Sequence, residues 1–364
     1  MSSSETPGAP PPGRREPVDG RIRIVDLAAE LNLSVATVSR ALSNSPAVRP
    51  EVARRVRDLA VERGYVANRL ARSLRSRSRT FVGFLVPDVQ NLAYSIAAAA
   101  CAEHVAKSGN QLILAISGDD TERELQAVRS LAEAQVGGVI VAPSREMSDE
   151  SRRLLDGMKV VEFNRTVGLS DDMVLCDEQS AFAGATRHLL GLGHTRIGYI
   201  GSTDALSNGR ERVAGVRQEM RRHGRRLLKR HTRLLPPTQQ HGLEAARDLL
   251  SADDAPTALV VGGSNLSLGV SHAIRQLGIS MPHELSLIVY GDSDWGELYS
   301  PTLTTIKAPY REMALAVADI VTGLVAPDGA RLGGQLRLPA ELVVRDSTAA
   351  PRPGPTARTK SRRS

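Results

Sequence analysis

The sequence predicts two folds in one chain: a small all-α headpiece containing a helix-turn-helix, followed by a large α/β body built on parallel sheets. Three observations carry this. Apolar residues recur at helical spacing through residues 24–62. Short β-branched runs alternate with longer helical patterns from Arg79 to Asp346. The excess positive charge sits at the two ends of the chain and not in the middle. A length of 364 residues exceeds one ordinary domain and suits a small module plus a two-lobed body.

Residues 1–20 are rich in Pro, Gly and Ser and lack an apolar stretch, which predicts a disordered arm and not a signal peptide. The headpiece is expected over residues 21–66. Its first helix is carried by Ile24, Leu27, Ala28 and Leu31 and is broken at Asn32-Leu33-Ser34, where Ser34 is a natural cap for the next helix. That second helix runs from Val35 to Leu42. Val38, Ala41 and Leu42 face inward, which leaves Val35, Ala36, Thr37, Ser39 and Arg40 outside, with Asn44 just beyond. Small outer side chains let a helix sit deep in a DNA major groove; Thr37 and Ser39 can bond phosphates, and Arg40 can reach phosphate or guanine. Pro50 opens a third amphipathic helix with Val52, Val56, Leu59 and Ala60, closed by Gly64.

Residues 67–79 are expected to form a hinge or linker. Asn68 to Leu74, with Ala71 at its centre, has helical spacing but too few apolar residues to stay folded alone. Leu70 and Leu74 share a face beside Arg72 and Arg75, a composition suited to folding against a groove and wedging apart stacked bases. Taken alone, the same segment also reads as a solvated basic linker.

Charge favours the nucleic-acid reading. Residues 1–80 hold 15 Arg and no Lys against 8 acids, a surplus equal to the whole chain's net charge of +7. The last fifteen residues add five positive charges, so residues 81–349 are net negative at −5. Cations placed on one module are what phosphate binding by counterion release requires. Cys101 and Cys176 fit no metal or redox spacing and read as buried thiols. No stretch approaches a membrane span. Residues 349–364 read as a disordered basic tail without leucine heptads.

In the body, residues 80–348, the strand candidates are 81–86, 111–116, 137–142, 159–163, 196–200, 257–262 and 286–290. Apolar strands separated by helices predict parallel sheets covered on both faces, which bind ligands at the carboxyl ends of their strands. The strand-end pairs are Pro87-Asp88, Ser117-Gly118, Asn164-Arg165, Gly201-Ser202, Gly263-Ser264 and Gly291-Asp292. Enzyme signatures do not appear. The glycines of GLGHTRIGYIG precede a strand, no G-x-S-x-G occurs, and the eight histidines show no H-x-x-x-H spacing. GGSNLSLG at 262–269 follows a strand and opens a helix, and a cap formed by Ser264 or Asn265 is favoured there over an anion site.

VDLAAELNLSVATVSR, then Gly64-Tyr65, then NRLARSL resembles the headpiece of the lactose/galactose repressor (LacI/GalR) family over residues 24–77. The body is similar to the same family through VGFLVPDVQN, VGGVIVAPS, FNR at 163–165, HLLGLGHTRIGYIG, RVAG at 212–215, PTLTTIKAP and ELVVRDS. The resemblance implies a periplasmic-binding-protein-like body of two lobes. The first would span about 80–178 plus a returning helix near 310–326, and three crossings, one of them LTTIKAP, would join it to the second. It further implies that Val35 and Ala36 open the recognition helix, that Asn68 to Leu74 is a hinge helix, and that Leu74 intercalates at the centre of a palindromic operator. The partners it implies are double-stranded operator DNA, a second copy of the chain and a small-molecule effector, with no cofactor, metal or membrane, in the cytoplasm at the nucleoid.

The effector residues depart from the family pattern. By resemblance Arg212 grips the ligand, Tyr310 walls the cleft, and Tyr94, Arg165, Ser264 and Asp292 complete it. Where the family has Asn-Asp after the strand TALVV, this chain has Gly263-Ser264, so a carboxylate for sugar hydroxyls is missing. With Arg212 kept, the expectation is an anionic effector or one derived from a sugar; a cleft that has lost its ligand stays open as the alternative.

Overall fold

The computed structural model describes residues 22–42, 45–65, 81–291, 294–326 and 334–352. The arm at 1–20, the linker at 67–79, and Asn44, Asn68, Ala71, Arg72, Leu74, Arg75 and Asp292 lie outside the described residues. The chain divides into two compact units, Met1–Arg77 and Ser78–Ser364.

The first unit holds three helices: α1 (Ile24–Glu30), α2 (Val35–Leu42) and α3 (Pro50–Glu62). They share one core of Leu27, Ala28, Val38, Ala41, Ala53, Val56 and Ala60, with Ile24, Leu31, Leu42, Val52 and Leu59 packed on its edge. The turn forms where expected because Asn32 takes a left-handed φ of 53° and the Thr37 amide donates to Ser34 Oγ at 3.1 Å. Pro50 stands in the first turn of α3, where a missing N–H costs nothing. Gly64, at φ +61°, closes that helix as the Tyr65 amide donates back to Ala60 O at 2.8 Å.

The second unit runs β1 (Phe81–Val86), α4 (Leu92–Lys107), β2 (Gln111–Ile116), α5 (Thr121–Glu133), β3 (Gly138–Val141), α6 (Asp149–Asp156), β4 (Val160–Phe163), β5 (Met173–Asp177), α7 (Glu178–Gly191), β6 (Ile197–Ser202), α8 (Ser207–Arg222), β7 (Thr232–Leu235), α9 (Gln239–Leu250), β8 (Ala258–Gly262), α10 (Ser264–Leu277), β9 (Ser286–Tyr290), α11 (Asp294–Leu298), β10 (Thr304–Lys307), α12 (Tyr310–Val325), β11 (Gln335–Pro339) and β12 (Glu341–Val343). Two six-stranded sheets result, ordered β11-β5-β4-β3-β1-β2 and β12-β10-β9-β8-β6-β7. Every strand pairing is parallel except β10 with β12. The chain passes between the sheets three times, after β5, after β10 through Ala308-Pro309, and at Ala340 between β11 and β12. The returning helix α12 lies on α4, β3, β4 and β5, burying Met313, Ala314, Val317, Ala318 and Val321 along one face. On the same return, β11 adds an edge strand to the first sheet that residue patterning did not indicate.

Two expectations need correction. The helix α10 is capped by Gly263 without a side-chain cap bond, so neither Ser264 nor Asn265 caps it; Asn265 Nδ2 instead donates to Asp88 at 3.4 Å. The tail does not begin at residue 349. Ser347 is fully buried, its Oγ accepts from the Thr304 amide at 2.8 Å, and Ala349 O accepts from Ser286 Oγ at 3.0 Å and bonds His194 Nε2 at 2.8 Å. Both thiols are buried and unpaired, as spacing implied, and burial pushes Cys101 up to about 12.

The second lobe's helices α7 and α8 are held face to face by Gln179 to Gln218 at 2.7 Å and by Arg187, which reaches buried Glu219 at 2.8 and 3.1 Å. The Arg187 hydrogen bonds hold the Glu219 carboxyl below its ordinary range despite burial. A depressed carboxyl contributes stability above its unfolded value of about 4.3 and loses it as pH falls through the folded value. Glu219→Gln is therefore expected to be less stable than the parent in urea at pH 7, with the deficit shrinking below about pH 4. A deficit unchanged from pH 7 to pH 3.5 would mean that charge is not its source.

Candidate functional site

The headpiece presents the first candidate. Ser34, Val35, Ala36 and Arg40 are exposed on α2, while Val38 and Ala41 on its opposite face are fully buried. Thr37 and Ser39 are half-buried. The Thr37 hydroxyl lies 2.8 Å from Ser34 Oγ, so it also serves the helix start, and Ser39 has an interaction of its own within the protein. What remains outermost is a cap serine, a valine, an alanine and an arginine: a low ridge with one cation, shaped to enter a groove.

The second candidate lies between the two lobes at the carboxyl ends of their strands, where open α/β sheets collect ligands. Tyr94 from α4 and Asn164 and Arg165 after β4 come from one lobe; Ser202 at the end of β6, Asn208 and Arg212 on α8, Ser264 on α10 and Tyr290 at the end of β9 come from the other, and Tyr310 starts α12. Five residues expected at an effector site, Tyr94, Arg165, Arg212, Ser264 and Tyr310, thus line one cavity. Its volume is about 20 Å³, room for about one water. Bonds across the lobes flank it, the Thr166 amide to Ser207 Oγ at 2.9 Å and Asn265 to Asp88 at 3.4 Å, and a further one joins Arg337 on β11 to Glu211 on α8 through two contacts of 2.9 Å beside a separate cavity.

Its electrostatics differ from the expected free cation. Arg212 donates from Nη2 to Glu178 Oε1 and from Nη1 to Gly262 O at 3.2 Å, and its guanidinium lies 4.0 Å from the Tyr290 ring centroid. The Tyr290 hydroxyl donates to the same Glu178 oxygen at 2.7 Å. Burial opposes the Arg212 charge, but Glu178 and Tyr290 outweigh it and its pKa stays well above the ordinary arginine value. Arg165 donates to Asp119 at 2.6 Å. Arg212, read from the sequence as the cation for an anionic ligand, has a partner that spacing does not show: each cleft arginine already faces a carboxylate. Several buried polar atoms around the cavity have no hydrogen-bond partner: Asn164 Oδ1, Arg165 Nε, Ser202 Oγ, Asn208 Oδ1 and Arg212 Nε. Native interiors rarely leave such groups unmet, so these are the atoms from which a water or a ligand in this space would take its bonds.

Glu178 and Asn208 escaped sequence reasoning. Asn208 stands four residues before Arg212, one helical turn along the same face, a spacing that could have flagged it. Glu178 follows directly on β5, a strand the residue pattern did not reveal. A wider cavity of about 580 Å³ lies among α7, α8 and β11, but its Arg187 and Arg337 are bound to Glu219 and Glu211.

Comparison with known proteins places these features. Residues 186–348 match the periplasmic binding protein-like domain. Catabolite control protein A of Priestia megaterium is 26% identical over 304 residues, 83% of this chain and 92% of that protein. The HTH-type transcriptional repressor PurR of Vibrio vulnificus is 26% identical over 328 residues, 89% of this chain and 98% of its own. A crystal structure of the lac repressor dimer bound to operator and the anti-inducer ONPF superposes with a TM-score of 0.79 at 22% identity, covering 91% of this chain and all of that one.

Proposed function

The chain belongs to the LacI/GalR family of helix-turn-helix transcriptional regulators, and on that premise we propose that it is a repressor that binds a palindromic operator as a homodimer and answers to a small molecule held between its lobes. The exposed face of α2 carries the DNA-binding part. Val35 and Ala36 reach base edges, Ser34, Thr37, Ser39 and Asn44 contact the backbone, and Arg40 bonds phosphate or guanine. Asn68, Ala71, Arg72, Leu74 and Arg75 form a hinge segment that enters the minor groove, with Leu74 as the wedge. Two half-sites are needed because one such helix makes few base contacts, and their energies add. The regulator acts in the cytoplasm, and no helix among the described residues is long and apolar enough to cross a membrane.

The experiment is an operator selection from randomised DNA. Val35→Ala combined with Ala36→Val should return a consensus altered at a few base pairs per half-site, whereas Arg72→Ala or Arg75→Ala should weaken all sequences alike and lower the salt slope by about one per lost phosphate contact. An unchanged consensus from the double exchange would remove α2 from base reading.

The orphaned polar atoms of the cleft support the effector. The 20 Å³ cavity supports a second reading, a regulator with permanently closed lobes and no effector. A thermal-shift screen of small molecules on the full chain separates them, because a ligand that fills the cleft raises the unfolding midpoint with its concentration.

A further inference from the structure

The missing carboxylate at Ser264 is replaced from an unexpected element. Glu178 opens α7 directly after the crossing from the first sheet, and its side chain is 1% exposed against 6% for Arg212. One of its oxygens takes both the Arg212 guanidinium and the Tyr290 hydroxyl. It does not line the cavity but stands behind Arg212, so it acts on a ligand through that arginine. Together with Arg165 and Asp119, the cleft contains two cations and two carboxylates in matched pairs.

We propose that Glu178 is the positioning residue that sets the charge selectivity of the cleft, cancelling Arg212 so that the site takes an uncharged hydrogen-bonding molecule and rejects anions. The unmet groups fit that class. Arg165 Nε and Arg212 Nε can only donate, Asn164 Oδ1 and Asn208 Oδ1 can only accept, and Ser202 Oγ can do either. Hydroxyls and amides, which donate and accept at once, answer all five. A carboxylate offers acceptors alone, and a phosphate at neutral pH adds only one or two hydroxyl donors; either would bring a charge toward Glu178 with no free cation to offset its desolvation. Arg212 stacked on the Tyr290 ring cannot swing out without losing both that contact and its carboxylate. The proposal rests on the effector reading of the cleft.

Inorganic phosphate is the probe, titrated calorimetrically into the full chain. The cationic headpiece is common to every variant, so differences between variants report on the cleft. Glu178→Gln keeps an acceptor for Arg212 and Tyr290 while removing the charge. It should gain a phosphate site roughly tenfold or more tighter than anything in the parent, and Glu178→Gln with Arg212→Gln should lose it again. No gain in Glu178→Gln, or a gain that persists in the double variant, overturns the proposal. If circular dichroism shows Glu178→Gln unfolded, recovery by phosphate that Glu178→Gln with Arg212→Gln does not share counts for it, because the general stabilisation of the fold by phosphate is common to both; without recovery, Glu178→Asn takes its place and is read in the same way. Uncharged polyols and nucleosides titrated into the parent test the effector reading separately. A parent that binds none of them while Glu178→Gln gains phosphate leaves charge selection standing without an effector. An uncharged ligand with no phosphate gain in Glu178→Gln leaves the effector standing and refutes the role given to Glu178.

Discussion

Arg212→Ala is expected to lower the unfolding free energy of the body by about 3–5 kcal/mol, because it leaves Glu178 buried with no cation. The Tyr290 hydroxyl would be its one remaining side-chain bond among the described residues. Arg212→Met combined with Glu178→Leu, which removes both charges and keeps apolar bulk against Tyr290 and Phe182, should recover most of that loss, since a buried pair gains little over well-packed apolar groups. Urea unfolding of the full chain, followed by circular dichroism, measures both. A single variant within about 1 kcal/mol of the parent would mean that water reaches the pair in solution and that the lobes stand open. The consequence for function is direct. A lost ligand response in Arg212→Ala cannot be assigned to a lost ligand contact until stability has been matched.

The headpiece was legible because its information is local. Leu27, Val38 and Val56 are inside for the same reason that their spacing is helical, and Ser34, Asn32 and Gly64 mark turns through chemistry that acts within four residues. The central strands β1, β8 and β9 were legible for a related reason. Covered on both faces, they read as continuous apolar runs. The strands that went unread are short or lie toward sheet edges. β7 (TRLL) is half-buried throughout and carries Arg233, β11 (QLRLP) is mostly exposed, and β10 sat inside a segment assigned to a crossing. Missing β5 had a cost at the site, because its carboxyl end is where Glu178 begins.

Resemblance pointed to Tyr94, Arg165, Arg212, Ser264 and Tyr310 as effector residues, and all five line one cavity. It could not show what each side chain already touches. The anionic ligand followed from a pattern in which one carboxylate was absent; the structure supplies another from 86 residues earlier in the chain, and a pair of that kind leaves no signature in spacing. The tail boundary failed in the same way. Composition turns to Pro and Arg after 349, but Ala349 is held by bonds to Ser286 and His194 that only the folded chain brings near.

Close helix contact, which decides whether Arg212 can meet Glu178, gives the last expected result. Gly215 lies on α8 against α7, where a Cβ would stand 2.3 Å from Gln179 O and 3.1 Å from the Ala183 amide nitrogen. Both are backbone atoms and cannot rotate away. Gly215→Ala must push the helices apart, and the expected loss is about 3 kcal/mol, despite the roughly 1 kcal/mol by which alanine favours a helix. Gly184, on α7, has open space around its Cβ position, so Gly184→Ala should instead stabilise by about 0.5–1 kcal/mol. The two substitutions share their chemistry and helix class and differ in what the new methyl meets, so opposite signs in urea unfolding isolate the contact. Since Arg212 is one turn from Gly215 on α8 and Glu178 begins α7, separation of the helices should also loosen their bond, making Gly215→Ala and Arg212→Ala less than additive. Full additivity of those two, or a Gly215→Ala protein as stable as its parent, would show that the meeting of Arg212 with Glu178 does not depend on the close approach of α7 and α8.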